Sequence, residues 1–406
     1  MHSSCWRPEN FNIRKMRDSP LSVFLIFLRL GLTSFGGPVA HLGYFRTEFV
    51  VRRQWLAESA YADLVALCQL LPGPASSQVG IALGLTRAGY AGGFAAWLGF
   101  TAPSALALII FGILASHLGA ASGSGWLHGL KIVAVAVVAQ ALWGMARTLT
   151  PDVKRASIAL IAACIATVLP NAFGQIGVIL AAGIAGALFL KTAPVALVEF
   201  PASNISRRAG ISAILLCLAL LAALPLLAEI SGRYDAELFS VFFRVGAMVF
   251  GGGHVVLPLL QSEVVPRGWV SNDLFLAGYG AAQAVPGPLF TFAAYLGSAS
   301  SKMPNGWLGG IVAVVAIFLP SFLLVCGALP FLEALRQHQG ARRALAGINA
   351  AVVGLLLAAF YNPVWISAIL RPTDFALAAL GFLLLVAWKW PPWLVVVLTA
   401  FAAAIF

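Results

Sequence analysis

The chain has 406 residues, of which 61% are hydrophobic and only 10% charged. A soluble domain carries roughly 25% charged residues, so a polar shell cannot be built here and most of the surface must face lipid. The net charge of +11 lies between apolar segments and not in a basic stripe interleaved with aromatics, which reads as membrane topology with a share left for attracting anions, and excludes nucleic acid as a partner.

The fold class this predicts is an all-α integral membrane protein. Residues 1–20 form a cytoplasmic N-terminal segment with Arg7, Arg14, Lys15 and Arg17. No small-residue cleavage site follows, and Arg29 interrupts the apolar run, so the run is a first spanning segment and not a removed signal. A span needs about 20 apolar residues, fewer where it is broken. About 13 transmembrane helices are expected: near 21–45, 60–83, 90–115, 128–148, 156–172 and 174–190, then an extra one near 211–230, then 238–260, 273–298, 307–332, 345–361, 375–388 and 393–406. The organisation is a first repeat over 21–190, a linker with the extra helix over 191–237 and a second repeat over 238–406. Trp55, Trp269, Trp126, Trp307, Trp388, Trp390 and Trp393 stand at segment ends as interfacial anchors.

The repeats rest on an echo. FLRLGLTSFGGP at 27–38 returns as FFRVGAMVFGGG at 242–253, an offset of 215 that pairs Arg29 with Arg244 and Glu48 with Glu263. At an offset of 214, Gln69 pairs with Gln283 and Pro72-Gly73-Pro74 with Pro286-Gly287-Pro288; at 217, Pro103-Ser104 pairs with Pro320-Ser321. An even number of spans plus one extra starts the second half from the opposite side, so the repeats are expected to be inverted. Loop charges agree: 116–127 has no Lys or Arg while its counterpart near 333–344 has Arg336, Arg342 and Arg343, and 147–155 has Arg147, Lys154 and Arg155 against Arg371 alone. Loop 46–53, with Arg46, Arg52 and Arg53, disagrees; either the first span is a re-entrant hairpin or that loop folds into the protein.

Three duplicated features mark the candidate substrate site. Gly36-Gly37-Pro38 and Gly251-Gly252-Gly253 interrupt apolar segments; Gly costs a helix roughly 1 kcal/mol and Pro about 3, so broken helices with backbone donors exposed to a cavity are expected, the alternative being close helix packing. The Pro-Gly-Pro pairs cannot continue a regular helix, and each lets a half-helix start with its dipole pointing inward; Gln69, Gln283, Ser76, Ser77 and Gln78 add polar groups nearby, with Thr291 the nearest in the second half. Arg29 and Arg244 lie in apolar runs, where a guanidinium faces a cavity, a partner or an anion, or else snorkels. Glu48 and Glu263, Asp63, His41 and His254 are the candidate proton-coupling groups, the acids competing with a role as partners of Arg46, Arg53 or Arg267 and the histidines with a purely structural one.

The five cysteines are scattered, without CxxC spacing, so no metal site is expected. No nucleotide, hydrolase or metalloprotease motif occurs, so the chain is read as no enzyme and without cofactor. FGGP with LPGP, and FGGG-His254 with VPGP, resemble the signatures of the chromate ion transporter family in its long two-domain form, over essentially the whole chain. The resemblance implies a multi-pass exporter in the bacterial inner membrane that confers chromate resistance, driven by proton antiport or by exchange against an anion such as sulfate. It places substrate binding at Arg29, Gly36, Gly37, Pro38, Gln69, Pro72, Gly73 and Pro74 and their second-half equivalents, with Gly253 in place of the proline. Rival readings are an uptake system for sulfate or another oxyanion, a membrane-embedded enzyme and a scaffold subunit; a homodimer stays open.

Overall fold

The computed structural model describes residues 18–35, 37–118, 125–169, 172–191, 205–250, 255–331 and 338–405. Its regular structure is helical: α1 (Pro20–Thr33), α2 (Gly37–Phe45) running into a π-helical turn (Arg46–Arg52), α3 (Glu58–Leu70), α4 (Ala75–Leu118), α5 (Gly125–Leu149), α6 (Val153–Val168), α7 (Ala172–Phe189), α8 (Arg207–Ser231), α9 (Tyr234–Met248), α10 (Val256–Val264), α11 (Asn272–Ala282), α12 (Phe292–Ser298), α13 (Gly306–Ala328), α14 (Gln339–Ala359), α15 (Pro372–Val386) and α16 (Pro392–Ile405). Among the described residues, five helical stretches are long and apolar enough to cross a membrane: Ala75–His117, His128–Leu149, Arg207–Ser231, Gly306–Phe331 and Gln339–Ala368. The first of these is not one rod. Ala88 and Gly89 leave helical geometry, Gly89 with φ +64°. A Cβ on Gly84 would lie 2.2 Å from the Gly92 carbonyl, and one on Gly92 would lie 2.3 Å from the Gly84 carbonyl. Eight residues along a straight helix are about 12 Å apart, so the chain turns back there. α4 is therefore a short arm (75–87) and a long arm (90–118), and the long arm alone has the length to span.

The segments expected to cross near 21–45 and 60–83 also fold back. α1 is 14 residues long, about 21 Å against a hydrocarbon layer of about 30 Å. Phe27 on α1 stacks on Phe49 at 5.1 Å and meets Phe45 edge-on at 5.6 Å, so α2 and the π-turn return along α1 instead of extending it. At the open ends of these helices, Arg87 pairs with Asp18 at 2.7 Å and covers the Trp55 ring at 5.0 Å. The start of α1, the start of α3 and the end of the short arm thus lie at one level. The first repeat opens with two hairpins side by side, α1 with α2 and α3 with the short arm, and loop 46–53 sits at their open end.

The second repeat builds the same pair. Arg244 on α9 bonds Glu263 on α10, and Arg267 reaches back to Glu237, which makes α9 and α10 antiparallel. Phe275 meets Phe292 at 5.1 Å, and the Tyr295 hydroxyl donates to the Leu274 carbonyl at 2.8 Å, which does the same for α11 and α12. Tyr234, Trp269 and Ser300 gather at the open end. The long helices that follow, the long arm of α4 and α13, run antiparallel: a Cβ on Gly310 would touch Ile109 and one on Gly306 would reach Ile113, while Trp97 packs on Phe318 and Phe322.

Glycine sets these crossings close. Gly31 lies on the Gly99 and Phe100 carbonyls, and the equivalent Gly246 on the Ile317 carbonyl, 2.1 Å from where a Cβ would stand. The outer helices exchange partners between the repeats: Gly354 and Gly347 of α14 nest on Ala159 of α6 and Ala182 of α7, and Gly129 of α5 nests on Ala400 of α16. Without a hydrophobic drive between helices in lipid, such small-residue contacts supply the packing.

Candidate functional site

Each hairpin tip is a place where the sequence forbids helix. α1 stops at Ser34, which is extended at φ −89°, ψ 95°, and α2 restarts at Gly37 with φ +77°. α3 stops at Leu71, extended by the following Pro72, and Gly73 takes φ +121°. α9 stops at Val249, and Gly287 between its prolines takes φ +108°.

The four tips meet in the middle of the molecule, and they do so reciprocally. The Gly73 N–H donates to the Val249 carbonyl at 2.6 Å, and the Gly287 N–H donates to the Ser34 carbonyl at 2.9 Å. Ser34 and Val249 are equivalent positions of the two repeats, as are Gly73 and Gly287, so each Pro-Gly-Pro tip is held by the other repeat's first tip. The same exchange extends to side chains: Gly73 packs on Ser321 and Gly287 on Ser104, the equivalent serines of the Pro-Ser pairs, each Oγ within 2.7 Å of where a Cβ would stand. Glycine is required at both positions, by φ and by space.

Around these tips lie buried polar atoms with no hydrogen-bond partner: Ser34 Oγ, His41 Nε2, Ser77 Oγ, Gln78 Oε1, Thr101 Oγ1, Gln283 Nε2 and Ser321 Oγ. His41 packs its ring against Phe100 at 5.3 Å, and its Nδ1 lies 3.5 Å from Ser76 Oγ in the first turn of the short arm. Gln78 Nε2 donates to the Pro72 carbonyl at 2.6 Å, closing the tip onto the half-helix it starts. Buried polar groups are ordinarily paired, so a cluster of hydroxyl, imidazole and amide groups inside an apolar body is suited to a polar ligand.

The structure brings together His41, Pro72, Gly73, Pro74, Ser76, Ser77, Gln78, Gly287 and Pro288 of the expected residues, and adds Ser34, Thr101, Ser104 and Ser321. The Pro103-Ser104 and Pro320-Ser321 match in the sequence was the signal for the last pair. Pro286 is half-buried, and so is Gln283, at the end of α11. Gln69 is exposed. Arg29 is exposed and has no ion-pair partner among the described residues, whereas Arg244 is engaged through Nη2 by Glu263 at 2.6 Å. Glu263 also binds Arg267 at 2.9 Å, and Glu48 binds Arg53 at 2.7 Å and Arg52 at 3.5 Å, while Arg46 goes to Glu58. Asp63 is buried within α3. Gly36, Gly251, Gly252, Gly253 and His254 lie outside the described residues, as does the side chain of Pro38. Among the described residues no group of His, Cys, Asp and Glu is placed to hold a metal ion.

The comparisons with known proteins bear on this arrangement. The family profile described as "Chromate transporter" matches residues 21–187 and 236–405, once for each repeat. Chromate transport protein of Pseudomonas aeruginosa is 28% identical over 386 residues, 90% of this chain and 87% of that one. Probable chromate transport protein of Synechococcus elongatus is 29% identical over 341 residues, 82% of this chain and 81% of that one. Chromate transport protein of Cupriavidus metallidurans is 27% identical over 346 residues, covering 82% and 80%. No solved structure matches significantly. With a profile match in each half and full-length relatives of one name, the chain belongs to the chromate transporter family.

Proposed function

We propose that this protein carries chromate, a tetrahedral divalent oxyanion, out of the cytoplasm across a bacterial inner membrane and so confers resistance. The reciprocal bonds Gly73–Val249 and Gly287–Ser34 carry this reading: paired interruptions joined at the centre of an apolar body mark the ligand site of two-repeat transporters. A dianion entering that centre loses its hydration, and hydroxyl, imidazole and amide donors stand ready to replace it.

The two repeats lie in opposite senses across the bilayer. The antiparallel course of the α4 long arm and α13 supports this, as does the charge: Arg46, Arg52, Arg53 and Arg87 sit at the open end of the first repeat's hairpins, an end we set in the cytoplasm. Rocking of one repeat's hairpins against the other's, pivoting on the joined tips, opens the centre to either side in turn. Proton antiport or exchange against sulfate drives export; of the buried candidates for a coupling proton, Glu48 and Glu263 are held in ion pairs with arginines, and His41 and Asp63 are the others.

Uptake of chromate into inverted vesicles tests the proposal, run with and without an imposed pH gradient and with sulfate as competitor. Expected are chromate accumulation above that of vesicles lacking the protein and its reduction by excess sulfate. Sulfate flux without chromate flux would convert the reading to a sulfate carrier, and flux of neither anion would end it.

A further inference from the structure

The tips are joined symmetrically, but their linings are not alike. Ser34, His41, Ser76, Gln78 and Thr101 of the first repeat correspond, at the offsets of the motifs, to Val249, Val256, Phe290, Phe292 and Phe318 of the second. All ten are buried. Five polar positions in one copy are thus five apolar or aromatic positions in the other.

Hydroxyls retained in both copies follow the same division. Thr291 Oγ1 donates to the Pro288 carbonyl at 2.7 Å, whereas the equivalent Ser77 Oγ has no partner. Ser104 Oγ, beside the second repeat's tip, donates to the Thr101 carbonyl at 3.0 Å, whereas Ser321 Oγ, beside the first repeat's tip and Gln78, has none. Of these hydroxyls, the two beside the second repeat's Pro-Gly-Pro tip are satisfied and the two beside the first repeat's are not. Gln283 Nε2, at the end of α11, is an unpartnered donor that the second repeat contributes near the tips, and it is an amide, not one of these hydroxyls.

Resting on the oxyanion-transport reading, we propose that the anion sits in one place, on the first repeat's tip. The N-terminal turn of the short arm of α4 supplies Ser76 and Ser77, His41 and Ser34 face that turn from α2 and the end of α1, and Ser321 closes it from the other repeat. The second repeat's equivalent surface is an aromatic plug of Phe290, Phe292 and Phe318 that moves against the site without binding the anion. A half-helix N-terminus favours negative charge; here it coincides with buried groups that have no partner, the Ser34, Ser77 and Ser321 hydroxyls and His41 Nε2.

The test is calorimetric titration of the purified full-length protein with sulfate and with chromate, each variant first checked for a monodisperse profile. Expected is one anion per chain. Ser77→Ala and His41→Leu should weaken both anions roughly tenfold or more, the loss of one hydrogen bond to a charged group, and Thr291→Val, the matched change in the second repeat, should stay within about twofold of wild type. His41→Gln keeps an N–H donor and should retain part of the affinity; it carries the comparison if His41→Leu is not monodisperse. Two anions per chain, or loss in Thr291→Val equal to or greater than that in Ser77→Ala, overturns the assignment while leaving oxyanion transport standing. A wild-type protein that binds neither anion overturns both.

Discussion

Gly73→Ala isolates the junction of the tips. At φ +121° an L-residue is strained by about 1–3 kcal/mol. The new Cβ would also stand 2.6 Å from both Gln78 Nε2 and Ser321 Oγ, and overpacking of this kind costs a further 1–3 kcal/mol or so. Gln78 can swing away, but only by giving up its 2.6 Å bond to the Pro72 carbonyl, worth roughly 0.5–1.5 kcal/mol. The sum is about 2.5–7.5 kcal/mol. Gly232 is the control: it caps α8 at φ +60° in open space, so Gly232→Ala costs only the left-handed penalty of about 1–2 kcal/mol. Adding Ser321→Ala to Gly73→Ala removes one clash and should restore about 1–2 kcal/mol, a coupling that independent sites do not display. Melting followed by fluorescence-detected size exclusion, alongside vesicle transport, reads all four proteins. Gly73→Ala melting together with Gly232→Ala, or a double variant no better than Gly73→Ala, would refute the packing of this tip.

Gly287→Ala should damage stability at least as much, and Ser104→Ala should rescue it less, because one neighbour is the Phe100 carbonyl, backbone 3.2 Å from the new Cβ; the same melting series checks it. Glu263→Gln should lower the melting temperature more than Glu48→Gln, by a difference on the order of 1–2 kcal/mol, since Glu263 serves the Arg244 side chain, 24% exposed, whereas Glu48 serves Arg52 and Arg53 at 61% and 38%. Arg29→Lys should leave melting unchanged because Arg29 has no ion-pair partner among the described residues, and a large destabilisation would contradict its exposed position. Cysteines placed at Gln54 and at Ser301, in a background lacking Cys5 and the exposed Cys164, should label with an impermeant maleimide from opposite faces of the membrane; labelling from one face would contradict the opposed repeats.

Much of this architecture was legible in the residues. The duplicated glycine and Pro-Gly-Pro interruptions locate every tip, because backbone that cannot be helical announces itself locally. The direction of the chain after each interruption does not. Residues 21–45 are as apolar as a straight span, and hydropathy reads a bend as continuity; only the arginines of loop 46–53 and the shortness of the run before Ser34 hinted at a return. The partners of Glu48 and Glu263 were narrowed to a few nearby arginines by proximity in sequence, without Arg244 among them, whereas the bond from Gly73 to Val249 joins positions with no local relation and could be found only in three dimensions. The unequal linings lay in the aligned repeats, but Val256 opposite His41 carries meaning only once both are known to be buried beside tips that touch.

The crossed bonds between Ser34, Gly73, Val249 and Gly287 mean that neither half is a finished object. A chain carrying one half would present an unclaimed carbonyl at its first tip and an unclaimed amide at its second, deep in hydrocarbon. With the repeats opposed as proposed, such a chain would settle by clasping a copy of itself inserted in the opposite sense. Fusing the two into one polypeptide frees each copy to diverge, as the five polar positions of one lining set against five apolar positions of the other display.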